Sequence, residues 1–253
     1  MDLGLKGKKV AVTGGSKGIG RAIAEGFAAE GASVSICARN AAEVEATVSS
    51  LKAKGVKAFG QTLDVADGPA LTAWVAASAH ALGGLDALVC NVSALAVGDS
   101  AESWQKSFSV DMMHTVNAVQ VAVPFLEKSS SGSIVLISSV SGFEVDFAAG
   151  SYGAIKAALI RYAKGLSRQL VGKGIRVNCV SPGNTYFDGG VWQQIEQGNP
   201  ELFSMAVGLN PTGHMGTPED SARAVVFLSS PLSARTTGTH LVVDGALTRG
   251  IQL

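Results

Sequence analysis

Several means of holding a chain together or tying it to a partner are scarce in this sequence of 253 residues. It has three cysteines, Cys37, Cys90 and Cys179, an odd and widely spaced set that excludes a disulfide framework. Each sits near the end of an apolar run, so all three read as small buried hydrophobes in a reducing compartment. Its four histidines, His80, His114, His214 and His240, form no metal-ligand spacing, and no metal is expected. An excess of either charge is lacking: 20 lysines and arginines balance 20 acids, which gives no electrostatic case for nucleic acid or an anionic membrane. No apolar run approaches the ~18 residues needed to span a bilayer. Residues 1–9 are polar and lack the apolar stretch of a secretory leader. Together these absences predict a cytoplasmic protein that folds around a hydrophobic core.

What is present is an alternation. Short β-branched runs lie at 9–13, 33–38, 57–61, 87–90, 133–138, 176–180 and 240–243, and most are apolar rather than alternating, as parallel strands covered on both faces should be. Between them lie helical stretches near 19–30, 41–53, 67–82, 101–127, 151–172 and 217–229. This order predicts a single-domain α/β fold: a doubly wound parallel sheet, or Rossmann fold, of about seven strands with helices on both faces. Residues 184–216 break the rhythm. They carry Tyr186, Phe187, Trp192, Phe203 and Met205 beyond the sixth strand, where doubly wound sheets bind ligands, and read as a substrate-binding lid. The helical spacing of Val191, Trp192 and Ile195 equally suits a packing helix.

The first strand runs into Thr13-Gly14-Gly15-Ser16-Lys17-Gly18-Ile19-Gly20 and then a helix. Glycines at 14, 18 and 20 let the backbone approach a pyrophosphate, and the helix N-terminus offers free N–H groups and partial positive charge. NAD-selective sites need an acid near the end of the second strand to bind the ribose hydroxyl. None lies between Val34 and Asn40. Arg39 instead offers a fork suited to a 2′-phosphate, with Lys17 as a second charge, which favours NADP(H). Further on, Tyr152 and Lys156 are four apart at the start of a helix and share a face. A free tyrosine, with a pKa of ~10, exchanges protons poorly at neutral pH. A neighbouring ammonium favours the phenolate and suits the residue to acid–base work on an alcohol or carbonyl. Ser139, after the fifth strand, is placed to hold the substrate oxygen.

The glycine motif, the Ser139/Tyr152/Lys156 spacing and the following Pro182-Gly183 resemble the short-chain dehydrogenase/reductase family, and its 3-oxoacyl-acyl-carrier-protein reductases in particular. The resemblance runs from Lys8 to about Gly245. It implies that Tyr152 moves the proton, that Lys156 binds the nicotinamide ribose and that Ser139 orients the carbonyl. It further implies that Ser16, Gly18 and Ile19 line the cofactor, that Asp64 and Val65 meet the adenine, and that Asn91 lies along the dinucleotide. Residues after Pro182-Gly183, with Thr185 the nearest hydroxyl, would reach the carboxamide. A homotetramer or homodimer is implied as well. Three positions depart from the family pattern. Asp111, seven residues past Trp104, stands where the family has an asparagine that supports a proton relay to the lysine; a carboxylate there would stabilise the Lys156 ammonium or swing it away from the ribose. Asn91-Val92-Ser93 replaces Asn-Ala-Gly, and Phe187 replaces a threonine.

The segment 129–133 lacks the basic residues expected of a carrier-protein docking surface, with only Lys128 before it and Lys173 elsewhere. A free small carbonyl or alcohol is therefore expected, and Phe143 and Phe147 suggest that it is apolar or cyclic. Glu144 and Asp146 would disfavour an anionic group if they face inward. The sequence expectation is thus an NADP(H)-dependent ketone reductase or alcohol dehydrogenase. The alternatives are an NADP(H)-binding regulator or scaffold with weakened turnover, drawn from Asp111 and the altered segment after Asn91, and a lyase or epimerase using the same tyrosine.

Overall fold

A computed structural model describes residues 2–251. Seven strands form one parallel sheet: β1 (Lys9–Thr13), β2 (Ser33–Ala38), β3 (Ala58–Thr62), β4 (Ala87–Cys90), β5 (Gly132–Ile137), β6 (Ile175–Pro182) and β7 (His240–Val243), in the order β3-β2-β1-β4-β5-β6-β7. The chain winds outward from β1 in one direction and then in the other. The loops after β1 and β4 therefore diverge and leave a crevice at the carboxyl ends of the strands.

The helices are α1 (Gly18–Ala29), α2 (Ala41–Ala53), α3 (Gly68–Leu82), α4 (Ala101–Ser107), α5 (His114–Leu126), α6 (Ser151–Leu170), α7 (Val191–Gly198), α8 (Pro200–Gly208) and α9 (Pro218–Ser229). One face of the sheet is covered through Leu71, Trp74, Val119, Leu126 and Leu166, from α3, α5 and α6. The other is covered through Ile23, Phe27, Leu51 and Val225, from α1, α2 and α9. Burial on both faces is why the strands read as continuous apolar runs.

Strand and helix positions match the expectation closely; β3 and β5 each lie one residue from the expected span, and β6 is longer at both ends. Two differences matter for the site. The stretch expected as one helix from 101 to 127 contains a π-helical turn, Phe108–Met113, between α4 and α5. The wider turn breaks the regular hydrogen-bond ladder. The Val110 carbonyl takes the His114 Nδ1–H, and the Asp111 carbonyl takes the Thr115 hydroxyl (2.9 Å). Second, residues 184–216 contain α7 and α8, packed around a small cluster of their own: Trp192, Ala206 and Met215, flanked by Tyr186, Ile195, Phe203 and Val207. Of the spacing noted above, Trp192 is buried there, Ile195 packs against it, and Val191 faces outward.

Candidate active site

The β1–α1 turn shows why the glycines are needed. Gly18 has φ +52°, a left-handed conformation that costs a side-chain-bearing residue free energy. A Cβ on Gly20 would collide with the Gly14 carbonyl. Asn91, at the end of β4, pins the turn: its Nδ2 donates to the carbonyls of Thr13 (3.1 Å) and Gly14 (3.4 Å), and its N–H donates to the Thr13 hydroxyl (2.9 Å). Helices α2, α3, α4 and α8 are capped by the side chains of Asn40, Asp67, Ser100 and Asn199. Helix α1 has no side-chain cap, so its first amides, at Gly18, Ile19 and Gly20, are left for another acceptor.

At the end of β2, Arg39 is exposed, as is Lys17 across the turn. Neither forms an ion pair among the described residues. Ser16 donates to Glu43 (2.8 Å), which brings a carboxylate to the same edge. Asp64 accepts the Ala66 N–H (2.9 Å) at the end of β3, and Val65 is buried in the core beneath it. The uncapped helix, the glycine turn and two unpaired cations fit the pyrophosphate and 2′-phosphate of a dinucleotide.

Ser139 caps a short turn, Val140–Gly142, that lies directly on α6. A Cβ on Gly142 would be 2.8 Å from the Lys156 carbonyl carbon, and the Ser138 hydroxyl donates to the Lys156 carbonyl (2.8 Å). This packing brings Ser139 to the first turns of α6, where Tyr152 and Lys156 stand. The Lys156 Nζ lies 5.5 Å from the centroid of the Tyr152 ring, 3.2 Å from the Ile137 carbonyl and 3.1 Å from Asp111 Oδ1. Burial alone would pull the lysine pKa down. The Asp111 carboxylate, and after it Tyr152, outweigh that and hold it above the ordinary lysine value.

The sequence reading missed several residues. Ser139 receives the Ser141 N–H (3.2 Å) and donates to Ser141 Oγ (3.3 Å), which donates to Asp146 (2.6 Å). Asp146 also accepts the Ala148 N–H (2.8 Å), so this acid serves its own loop. His114 is buried beside Lys156, with Nε2 3.4 Å from the Thr13 hydroxyl; desolvation pushes its pKa down to about 4. Their signal, a polar residue one helical turn or one short loop from a known site residue, does not stand out among other serines and histidines.

The two loop phenylalanines diverge. Phe143 meets His240 of the edge strand β7 edge-on (5.0 Å), and Phe147 meets Trp192 of α7 (5.9 Å). The Thr185 hydroxyl is spent on the Gly183 carbonyl (3.0 Å). Phe187 lays its ring over Gly18, where a Cβ would be only 2.5 Å away. An aromatic ring thus covers one end of the glycine turn. Pro182 closes β6, and Gly183 is bonded to the end of β7 through the Val243 carbonyl (2.9 Å).

The chain as a whole is similar to known proteins. A family model described as enoyl-(acyl carrier protein) reductase matches residues 14–248. Isoepoxydon dehydrogenase patN of Penicillium expansum is 39% identical over 253 residues, covering 98% of each chain. The 2,5-dichloro-2,5-cyclohexadiene-1,4-diol dehydrogenase LinX of Sphingobium indicum is 33% identical over 253 residues, again 98% of each. The crystal structure of a short chain dehydrogenase from Burkholderia cenocepacia in complex with NADP aligns with a TM-score of 0.88 at 33% identity, covering 96% of this chain and 99% of that one.

Proposed function

This chain belongs to the short-chain dehydrogenase/reductase family of oxidoreductases, and from that premise we propose that it moves a hydride between NADP(H) and a carbonyl or secondary alcohol of a small, apolar or cyclic molecule. The observation that carries this reading is that Tyr152, Lys156 and Ser139 gather at the carboxyl end of β5, in the same sheet whose first strand ends in the glycine turn before the uncapped helix α1. NADPH, when bound, supplies the hydride. Tyr152 donates the proton that the new alkoxide needs, and Ser139, aligned by Ser141 and Asp146, holds the substrate oxygen. Lys156 binds the nicotinamide ribose and presents positive potential to Tyr152. The α1 amides receive the pyrophosphate, and Arg39 with Lys17 receives the 2′-phosphate. Asp64, Val65, Asn91 and the segment from Pro182 to Thr185 line the rest of the dinucleotide.

Residues 184–216 cover the substrate as a lid. The Phe147–Trp192 pair gives it an aromatic wall, and Leu95, four residues past Asn91, and Met205, within residues 184–216, leave apolar surface exposed. One relative is named for a cyclohexadiene diol, which supports a ring-borne hydroxyl as the substrate group. Lys173 pairs with Glu127 (2.7 Å), which weakens the case for docking an acidic carrier protein. The three cysteines are buried thiols, which suits the cytoplasm, and no helix among the described residues is long and apolar enough to cross a membrane. The family resemblance supports a homotetramer or homodimer.

Initial rates of NADPH and NADH oxidation against cyclic ketones, quinones, diketones and 3-oxoacyl thioesters test the proposal. It predicts turnover that prefers NADPH and a cyclic ketone. Preference for the thioester would overturn the substrate class. A second reading, an NADP(H)-binding regulator with weakened turnover, is favoured by the buried pairing of Asp111 with Lys156 (3.1 Å); it predicts tight NADPH binding with no turnover on any member of the panel.

A further inference from the structure

Lys156 and Asp111 are almost wholly buried, at 2% and 1% exposure. Asp111 Oδ2 takes the Ala94 N–H (2.8 Å), while Oδ1 has no partner among the described residues other than the Lys156 ammonium at 3.1 Å. Solvent and salt screen a pair so placed far less than a surface pair, so its charges are felt by the groups packed against it.

The remaining groups around the ammonium are few. From α5, His114 is neutral, its pKa pushed down to about 4 by burial. From β6, Cys179 is a thiol, its pKa pushed up to about 12 by burial. β5 contributes the Ile137 carbonyl and α6 contributes Tyr152. Asp111 is therefore the anion that faces Lys156, and the charge count follows. With Asp111, the cluster is neutral when Tyr152 is a phenol and carries one negative charge when it is a phenolate. A neutral amide at 111 would give one positive charge and zero for the same two states. Burial disfavours uncompensated charge, so the carboxylate favours the phenol and the amide favours the phenolate.

We infer that Asp111 is a positioning residue that keeps Tyr152 in its proton-donating form across the neutral range, so that carbonyl reduction is at its plateau there and alcohol oxidation becomes fast only under alkaline conditions. This rests on the reading of Tyr152 as the acid–base group. In reduction, the carbonyl carbon accepts hydride from NADPH, which is oxidised; the tyrosine O–H bond breaks and the substrate O–H bond forms. The reverse reaction needs the phenolate to take that proton back.

The test is a pair of pH–rate profiles, ketone reduction with NADPH and alcohol oxidation with NADP, for the wild type and Asp111→Asn. Alongside them, the near-ultraviolet absorbance of the phenolate is titrated with the corresponding Tyr152→Phe proteins as blanks. Asp111→Asn should move the rise of oxidation and the fall of reduction to lower pH by roughly one to two units, with the absorbance following. Asp111→Ser removes the same charge and serves if the amide variant does not fold. An equal loss of both rates with no movement of either profile or of the absorbance would overturn the inference and leave Asp111 a structural residue. Full turnover in Tyr152→Phe would overturn the reading of the site, while the absorbance titration would still decide the inference.

Discussion

The carboxyl end of the sheet carries two regions built on different physical terms. The floor, made of the β1–α1 turn and the first turns of α6, is fixed by backbone collisions and buried charge: Gly20 against the Gly14 carbonyl, Lys156 against Asp111. The proposed cover, residues 184–216, rests on its own small apolar cluster around Trp192 and leaves Met205 61% exposed. Chemistry needs geometry held to a fraction of an ångström, which under the proposed function falls to the floor. Selection of a substrate needs an apolar surface that adapts, and the cover, separately packed, is suited to that. Variants in the floor should therefore cost far more than variants in the cover.

The largest effect on binding is expected at Gly20. Gly20→Ala puts a methyl group where the Gly14 carbonyl lies, so the turn must open and NADPH affinity should fall about 100-fold. Fluorescence titration of NADPH measures this, and unchanged affinity would show that the turn does not hold the dinucleotide. Next is a pH effect on stability. His114 has its folded pKa pushed down to about 4, against an ordinary value of 6.5. The unfolded chain binds the proton first as pH falls, so the contribution is fully present above pH 6.5 and is lost between there and about 4. The loss amounts to about 3 kcal/mol. Denaturant unfolding at pH 7 and pH 4 should show that much less pH dependence in His114→Gln than in the wild type; equal dependence would place the titrating group elsewhere. The smallest effect is expected in the cover. Trp192→Ala removes the partner of Phe147 and should raise the KM for a cyclic ketone by about tenfold with little change in kcat. A collapse of kcat instead would erase the distinction between floor and cover.

The same division explains what the sequence made legible. The floor is written in part in glycines at 14, 18 and 20 after a β-branched run, a spacing with few other uses; a tyrosine and lysine four apart are a common pair on helices and gained meaning only together with Ser139 and the glycine turn. The sheet followed from apolar runs that only two-sided burial explains. The π-helical turn was not legible, because nothing in the composition of Phe108-Ser109-Val110-Asp111-Met112-Met113 sets it apart from the α-helices on either side. Nor was the fate of the phenylalanines. Phe143 and Phe147 look alike in sequence, yet one meets His240 and the other Trp192, both more than 40 residues away along the chain. Phe187 could be seen to replace a threonine, but its ring over Gly18 depends on where α7 begins.

The central claim is that Tyr152 delivers the proton to a carbonyl while NADPH is oxidised. The most direct measurement is the steady-state rate of NADPH oxidation with a cyclic ketone for the wild type and Tyr152→Phe, with NADPH affinity measured on both. The account predicts a loss of about a thousandfold in kcat with nearly unchanged NADPH affinity. A variant that keeps most of its kcat would contradict it.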